Sequence, residues 1–558
     1  MLSFLKLGMT IKRSSRLLCF CVFSLLGNTS ADAAQSKCEV TVDQYSKADL
    51  LKLKREIAKA LRSYDRDSLL ELARPLGTNL SPINHVIQQE LARYSSEILA
   101  KGIQPKTVMV GAGASTAALS ATLRAKLSEA DRKKMLILES GDVALNTFYD
   151  KDFTLNSPTL DSSKDANFIP HGIVQHSDLF TGRPPHSNET AFVFLTNLWF
   201  SKIPVAFNSE LVKVSSLNAG LAIQIEQRAN GKKTTRNYSG IQHLGMGVGP
   251  GQQSLRHIAR GKDEKALREA MTEAKGDEPL AQTGLYSTLS FLSAARMSKN
   301  SKTKIPHEVV IVGHAHSAFT VAEALLRLWK NSPERFKQKP KVLIIGASLE
   351  NSKEFLEVVA DSSQSHSKRE IFIDRYKTLL PEFFDDKSVQ GIDGRVSELA
   401  KDSNGFSLKI SPRSRGNSRN LKAPLVVLAT GNEEIWQDML DNNKLWQELD
   451  AWGPTLTPKQ VQSGRIQTPK NTASSRFARV LQVSGHPGEI WAYGLANPLV
   501  NNFANVENRL ASITGSAKAI NSWTSTVEAV GRAWVNKQEI ELREPERILN
   551  PGSHLLGF

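Results

Sequence analysis

Cysteine is scarce in this 558-residue chain, which contains only Cys19, Cys21 and Cys38. No C-x-x-C pair is present, so a dithiol redox centre and a cysteine-based zinc site are excluded. His171, His176 and His186 lack metal-ligand spacing on a helix and are expected to be solvated or ordinary loop histidines. The sequence therefore predicts no metal site.

Long runs of one charge are also missing. The chain has 71 basic and 56 acidic residues and a formal net charge of +15, but no block of five or six lysines or arginines. A solvated basic surface is therefore favoured over a nucleic-acid site, although a basic balance also attracts phosphate-bearing molecules. We expect a small-molecule substrate and no nucleic-acid partner, and we leave the oligomeric state open. At this length, two or three domains are expected.

No apolar run is long enough for a stable membrane span. The longest N-terminal run, residues 17–26, is about ten residues long and follows four basic residues; a span needs about 20. The A-x-A sequence at residues 31–33 completes the pattern of a cleavable signal peptide, which predicts an exported protein, periplasmic or secreted. Cleavage would remove four basic residues and one acidic residue, leaving +12 and Cys38 as the single cysteine. An uncleaved anchor is the alternative.

Residues 106–142 carry the strongest motif. An apolar run enters the sequence Gly-Ala-Gly-Ala-Ser-Thr at residues 111–116, an alanine-rich helical segment follows, and residues 135–138 form a second apolar run that ends at Glu139. This order predicts a dinucleotide site. Gly111 allows the sharp turn, Gly113 lets the backbone approach a pyrophosphate, and Glu139 accepts hydrogen bonds from ribose hydroxyls.

Two details depart from the usual fingerprint: Thr116 occupies the position of the third glycine, and Glu139 comes later than the spacing of about 20 residues. A longer helix accounts for the spacing. The alternative is a purely structural strand–helix–strand unit with chance glycines. The candidate contacts of this loop are Gly111, Gly113, Ala114, Ser115, Thr116, Glu139 and Ser140.

The same order of elements recurs downstream. Three strand-like segments separated by turn signals lead from the first unit to the glycine-ended run 241–251, and residues 308–312 then enter a second turn, 313–318. A helix, a strand ending at residues 346–348, further strand pieces and the run 424–431 follow. Ala315 replaces the second glycine of this copy and narrows the room for a pyrophosphate. Its candidate contacts are Gly313, Ala315, His316, Ser317, Ala318, Ser348 and Gly431.

These segments predict an α/β fold with two Rossmann-like units, each with a small antiparallel β-meander, after an N-terminal helical extension. A helix in that extension is expected to begin at Ser81, with the serine as its cap. The predicted divisions are a signal peptide (1–33), a helical extension (34–105), the first part of the first unit (106–255), a helical linker (256–305), the second unit (306–431), a return to the first unit (432–540) and a tail (541–558).

This arrangement resembles flavoproteins with two dinucleotide-binding domains, a superfamily that includes flavin-containing monooxygenases and L-ornithine N-hydroxylases. The resemblance rests on residues 111–116 with Glu139, residues 313–318 and the Ala-Thr-Gly at 429–431, and it spans residues 106–535. It implies FAD at the first turn and NADP or NAD at the second.

Two local stretches are similar to the N-hydroxylase branch, and they imply that Asn156 and Gln175 lie near the flavin. The superfamily usually has Gly-Asp where this chain has Gly494-Leu495, so Asn497, Asn501 or Asn502 would have to replace the aspartate. For the second cofactor, Ser348 and Lys353 favour a 2′-phosphate, whereas Glu350 opposes it.

The expected function is that of an FAD-dependent oxidoreductase reduced by NAD(P)H, with N- or S-monooxygenation as one version. The cofactor supplies the difficult chemistry and the protein positions it. One alternative is an exported FAD-dependent oxidase of amine-type substrates with a relic nicotinamide domain. The other is a non-catalytic binding protein on a flavoprotein fold.

Overall fold

The computed structural model describes a helical N-terminal region and two sheet-containing modules. The described residues are 47–151, 153, 169, 171–179, 185–217, 220–229, 232–247, 255, 258, 263–274, 278–299, 301–313, 316–346, 388–412, 416–430, 479–482, 489–493 and 534.

Nine helices can be assigned within these residues. They are α1 (Lys47–Arg62), α2 (Arg66–Ala73), α3 (Ser81–Ala100), α4 (Ala114–Lys126), α5 (Glu129–Arg132), α6 (Ser187–Ser201), α7 (Asp263–Glu273), α8 (Thr288–Ser298) and α9 (His316–Asn331). In the part of the chain that the structure describes, no helix is both long and apolar enough to cross a membrane.

The described strands number seventeen. They are β1 (Thr107–Val110), β2 (Met135–Leu138), β3 (Val205–Ala206), β4 (Ser209–Leu217), β5 (Gly220–Ala229), β6 (Lys232–Ile241), β7 (His243–Gly247), β8 (Gly284–Ser287), β9 (Glu308–Val312), β10 (Lys341–Gly346), β11 (Val389–Asp393), β12 (Arg395–Asp402), β13 (Gly405–Ser411), β14 (Arg419–Ala423), β15 (Leu425–Leu428), β16 (Arg479–Gln482) and β17 (Glu489–Tyr493).

The first module is built on a six-stranded sheet of order β16-β17-β7-β1-β2-β3, in which only the edge pair β16–β17 is antiparallel. Helices α4 and α6 pack against each other on this module. Every residue of α6 is buried, and α4 is buried from Ala114 to Leu123. Parallel strands covered by helices bury apolar residues continuously, which explains why β2 reads as the unbroken run Met-Leu-Ile-Leu.

The second module repeats this plan in a five-stranded, wholly parallel sheet of order β11-β10-β9-β15-β8. The central strands of the two modules correspond: β3-β2-β1-β7-β17 in the first matches β11-β10-β9-β15-β8 in the second. Each module also has a three-stranded antiparallel meander, β4-β5-β6 or β12-β13-β14, before its third central strand. The predicted duplication and fold class are therefore confirmed.

One segment differs from the sequence-based expectation. Residues 256–305 were expected to form a helical linker, but Gly284–Ser287 is the edge strand β8 and pairs in parallel with β15. Helix α8 follows it and packs on α9. The four-residue strand Gly-Leu-Tyr-Ser has too short an apolar pattern to be recognised from sequence, because its strand character comes from its partner. The exact domain boundaries remain predictions.

A second difference concerns the start of α3. Leu80, and not Ser81, occupies the N-cap position, and Ser81 is the first helical residue. The Ser81 hydroxyl instead donates a hydrogen bond to the Asp150 carboxylate at 2.5 Å. The serine therefore ties the helical extension to the first module, a long-range role that local sequence does not reveal.

An aromatic cage around Lys202 fastens the extension to the first module. The Lys202 ammonium lies 3.4 Å from the centroid of the Trp199 ring, 4.3 Å from that of Tyr64 and 5.0 Å from that of Tyr94. Lys202 is only 4% exposed, and its carbonyl accepts a hydrogen bond from the Tyr94 hydroxyl. Burial lowers the pKa of Lys202 to about 8. Because cation–π attraction requires a charged ammonium, the three ring contacts stabilise the fold most at pH values below this pKa.

Replacing this cation by a side chain of similar length should weaken the cage. For Lys202→Met we expect a loss of about 1–2 kcal/mol, the range of desolvated cation–π contacts, seen as a melting temperature lower by a few degrees. The matched control is Lys134→Met, whose side chain is 64% exposed and which should change stability by less than about 0.5 kcal/mol. Equal melting temperatures for the two variants would contradict a stabilising role for the cage.

Candidate dinucleotide-binding site

The first glycine turn lies at the carboxyl end of β1. Gly111 has φ +89°, a left-handed conformation that favours glycine, and its N–H donates to the Leu138 carbonyl at 2.7 Å. A Cβ on Gly111 would lie 2.9 Å from the carbonyl oxygen of Gly247, at the end of β7. The turn therefore depends on glycine twice, through its dihedral angle and through close packing against the neighbouring strand.

Gly113 has a different role in the same turn. It is the N-cap of α4, with φ −86° and ψ −175°, a conformation open to any residue. A Cβ on Gly113 would meet no atom of the described residues within 4 Å. With respect to those residues, the space in front of this helix N-terminus is open, and the first amides and dipole of an α-helix favour an anion such as a pyrophosphate there.

Thr116 explains how the turn tolerates the loss of its third glycine. Its side chain is 1% exposed, and its hydroxyl donates to the Gly111 carbonyl at 2.5 Å. The threonine thus ties the first turn of α4 back to the glycine turn. Of the other predicted contacts in this helix start, Ala114 and Ser115 are both buried.

Glu139 follows β2 and faces the same turn. Its carboxylate accepts hydrogen bonds from the Ala112 N–H at 2.8 Å and the Gly141 N–H at 2.9 Å. Burial raises the pKa of Glu139, and hydrogen bonds from Gly141, Ala112 and Ser140 oppose that rise. Further donors, such as two ribose hydroxyls, would stabilise the charged carboxylate. The residues present therefore fit a dinucleotide at this turn.

The second module forms the corresponding turn at Gly313. Gly313 has φ +119°, its N–H donates to the Ile345 carbonyl at 2.8 Å, and a Cβ there would overlap the Ala429 carbonyl oxygen. Gly111 makes the same two contacts in the first module, with Leu138 and Gly247 in place of Ile345 and Ala429. Helix α9 then begins at His316, with Ser317 half-buried and Ala318 buried.

Hydrogen bonds within its own loop hold the Gln175 side chain in position. Its side-chain oxygen accepts from the Ile169 N–H at 3.1 Å, its amide nitrogen donates to the Ile169 carbonyl at 2.7 Å, and it forms a capping box with Asp178. These bonds account for its position without a ligand, so its role beside a flavin remains a prediction. Asn156, Ala315, Ser348, Gly431, Gly494 and Asn502 lie outside the described residues.

Of the three histidines expected to be solvated or ordinary loop residues, two are not solvated. His176 and His186 are 2% and 3% exposed. His186 is the N-cap of α6, and its Nδ1 accepts a hydrogen bond from the Asn188 N–H at 3.2 Å. His176 packs edge-on against Phe194, and burial lowers the pKa of His176 to about 3. Within the described ranges, no cluster of His, Cys, Asp or Glu is arranged to hold a metal.

Sequence reasoning missed the connector that supports the glycine turn from behind, residues 144–151. The Leu145 N–H donates to the Ala112 carbonyl at 2.9 Å, and Leu145 has φ +58°, which is unusual for a bulky residue. Further along, Lys151 is 1% exposed, donates to the Asn146 carbonyl and has its pKa lowered to about 7, mainly by burial. Its sequence, Ala-Leu-Asn-Thr-Phe-Tyr-Asp-Lys, was interpreted only as the beginning of a loop-rich region, because it contains no recognised motif.

Comparisons with known proteins give matches only at the level of structure. No family model matches the chain, and no curated protein matches it by sequence. L-lysine 6-monooxygenase from Pseudomonas syringae is 14% identical, with a TM-score of 0.44 over 77% of this chain and 99% of that one. Ornithine hydroxylase from Pseudomonas aeruginosa is 16% identical, with a TM-score of 0.42 over 74% and 98%.

A bacillithiol disulfide reductase from Bacillus cereus is also similar, with 13% identity and a TM-score of 0.39 over 75% of this chain and 99% of that one. Similarity at this level does not assign an activity.

The two glycines of the first turn permit a test that separates folding from binding. In Gly113→Val the new Cβ enters open space, so we expect the melting temperature without ligand to fall by no more than a few degrees, the cost of valine at an N-cap, and the affinity for FAD, measured by titration, to weaken at least tenfold. Gly111→Ala should lower the melting temperature further, because its Cβ meets the Gly247 carbonyl. Undiminished FAD binding by a folded Gly113→Val variant would place the ligand elsewhere.

Proposed function

We propose that this protein is an FAD-dependent oxidoreductase that takes reducing equivalents from a nicotinamide dinucleotide. The observation that carries the proposal is the duplicated turn: Gly111 and Gly313 share a left-handed conformation, the same amide–carbonyl bond and the same approach to a neighbouring strand. Two dinucleotide turns in one chain suit a reaction that brings two dinucleotide cofactors together.

We assign FAD to the first turn, because that copy retains both early glycines and the acid after β2. Gly111 would shape the turn, Gly113 and the start of α4 would take the pyrophosphate, and Glu139 would hold the ribose. When bound, the flavin supplies the capacity to accept a hydride and pass electrons on. The protein's residues bind and orient it.

We assign the nicotinamide dinucleotide to the second turn, formed by Gly313 and the start of α9. Ala315 in place of a second glycine leaves less room for a pyrophosphate, so weaker binding is expected here than at the first turn. Ser348 and Lys353 favour NADPH over NADH, against Glu350. These assignments rest on the sequence pattern together with the geometry of Gly313.

For the reaction type, we propose oxygenation of a nitrogen or sulfur atom in a small molecule. The absence of a C-x-x-C pair removes the dithiol that a disulfide reductase of this superfamily would use. The N-hydroxylase-like segments around residues 153–157 and 175–179 support this branch.

Anaerobic rapid mixing of the FAD-loaded protein with NADPH tests the proposal. We expect the oxidised flavin absorbance to bleach. In Ser317→Asp the added carboxylate suits a helix N-terminus but repels a pyrophosphate, so the NADPH concentration for half-maximal reduction rate should rise at least tenfold.

The control is Ser128→Asp, the same change at the exposed N-cap of α5, which should behave like the unaltered protein. A flavin that NADPH and NADH leave oxidised, and that an amine substrate reduces, would contradict the proposal and favour the oxidase alternative.

We also propose that residues 1–33 are an export signal cleaved after Ala33. The basic residues, the apolar run 17–26 and the A-x-A sequence support this. Mass spectrometry of protein recovered from outside the cytoplasm should give an N-terminus at Ala34, and recovery of only the uncleaved chain in the cytoplasm would contradict export.

A further inference from the structure

A groove between α1 and α3 lies on the helical extension and has no part in the dinucleotide turns. It has a volume of about 630 Å³ and is open to solvent. Ala58 and Val86 contribute apolar surface, and Ser63 and Gln89 contribute polar groups. The groove is also lined by the basic residues Lys54, Arg55, Lys59 and Arg62 and by Glu90.

Most of the positive charge in the groove is uncompensated. The Arg62 guanidinium pairs with the Glu90 carboxylate at 2.6 Å, and Arg93 satisfies the same carboxylate at 2.7 Å. Lys54, Arg55 and Lys59 are exposed and form no ion pair with any residue that the structure describes. Three cations therefore face solvent at one site, while the single acid in the groove is already neutralised by two arginines.

An exposed leucine extends this charged face. Leu51 is 51% exposed, and it lies one turn before Arg55 and two turns before Ala58 on the same side of α1. The opposite side of α1 buries Ile57 and Leu61 in the core of the first module. The solvent-facing side of α1 thus combines several cations with one large apolar side chain.

We propose that this face of α1, with the adjoining groove, binds the surface of an anionic phospholipid bilayer. Clusters of lysine and arginine on a helix are attracted to acidic headgroups, and an exposed apolar side chain adds insertion at the headgroup boundary. The groove accepts a lipid phosphate between Lys54, Arg55 and Lys59, while Leu51 contacts the acyl boundary. The attachment is peripheral, because α1 remains packed on the protein through its buried side.

The position of α1 in the chain favours a bilayer over an acidic protein as the partner. Thirteen residues separate Ala33, the end of the proposed export signal, from Lys47, the start of α1. A fully extended segment of that length reaches roughly 45 Å, so the chain brings α1 within that distance of a membrane while the proposed export signal is still attached, and the choice of a bilayer as the partner rests on that proposal. The inference concerns a surface remote from the glycine turns and does not depend on the proposed flavin chemistry.

Vesicle sedimentation tests this inference with the full chain. The probes are vesicles of phosphatidylcholine alone and vesicles of phosphatidylcholine with 30 mol% phosphatidylglycerol, in low and high salt. The groove variant is Lys54→Glu/Arg55→Glu/Lys59→Glu. Its matched control is Lys232→Glu/Arg236→Glu/Lys302→Glu, three exposed cations outside the groove, which changes the net charge equally.

We expect binding to the anionic vesicles that weakens in high salt and little binding to neutral vesicles. The groove variant should lose at least tenfold in partitioning, Leu51→Ser should lose severalfold, and the control should stay within about twofold of the unaltered chain. Melting temperatures and far-ultraviolet circular dichroism spectra of all variants check that each is folded.

Three results would overturn the proposal. The first is an equal loss in the groove variant and the control, which would mean diffuse attraction by net charge. The second is equal binding to neutral and anionic vesicles, or to neither. The third is retained binding to polyglutamate without binding to anionic vesicles, which would identify an acidic protein as the partner.

Discussion

The two modules depend on the same backbone contact, in which a glycine with positive φ packs directly against a carbonyl of the neighbouring strand. In the first module Gly111 meets Gly247, and in the second Gly313 meets Ala429. The contact brings the start of the following helix to the carboxyl end of the central strand. Because a Cβ would collide with backbone and not with a movable side chain, only glycine allows this arrangement, and the helix N-terminus is aimed by it.

The remainder of the first module holds that turn in place. The Glu139 carboxylate accepts a hydrogen bond from the Ala112 N–H, and the Thr116 hydroxyl donates one to the Gly111 carbonyl. The Leu145 N–H donates a further hydrogen bond to the Ala112 carbonyl. The helical extension is fixed to the module through the Lys202 cage and the Ser81–Asp150 bond. The site is therefore supported from three directions before any ligand enters.

The sequence allowed the sheets and both turns to be predicted because their signals are local. The run at residues 308–312 is strand β9, and the run at 135–138 is strand β2. The rest depends on distant partners. Strand β8 is defined by pairing with β15, and the cage joins Tyr64, Tyr94 and Lys202, which are far apart in sequence. Burial of His176 depends on packing against α6, which spacing alone does not reveal.

We propose that the Gly111 turn holds FAD. The most direct measurement is the visible absorption spectrum of the purified full-length protein, before and after incubation with FAD and removal of the excess. We expect the spectrum of an oxidised flavin with one FAD per chain. A folded protein that remains colourless after incubation would contradict it.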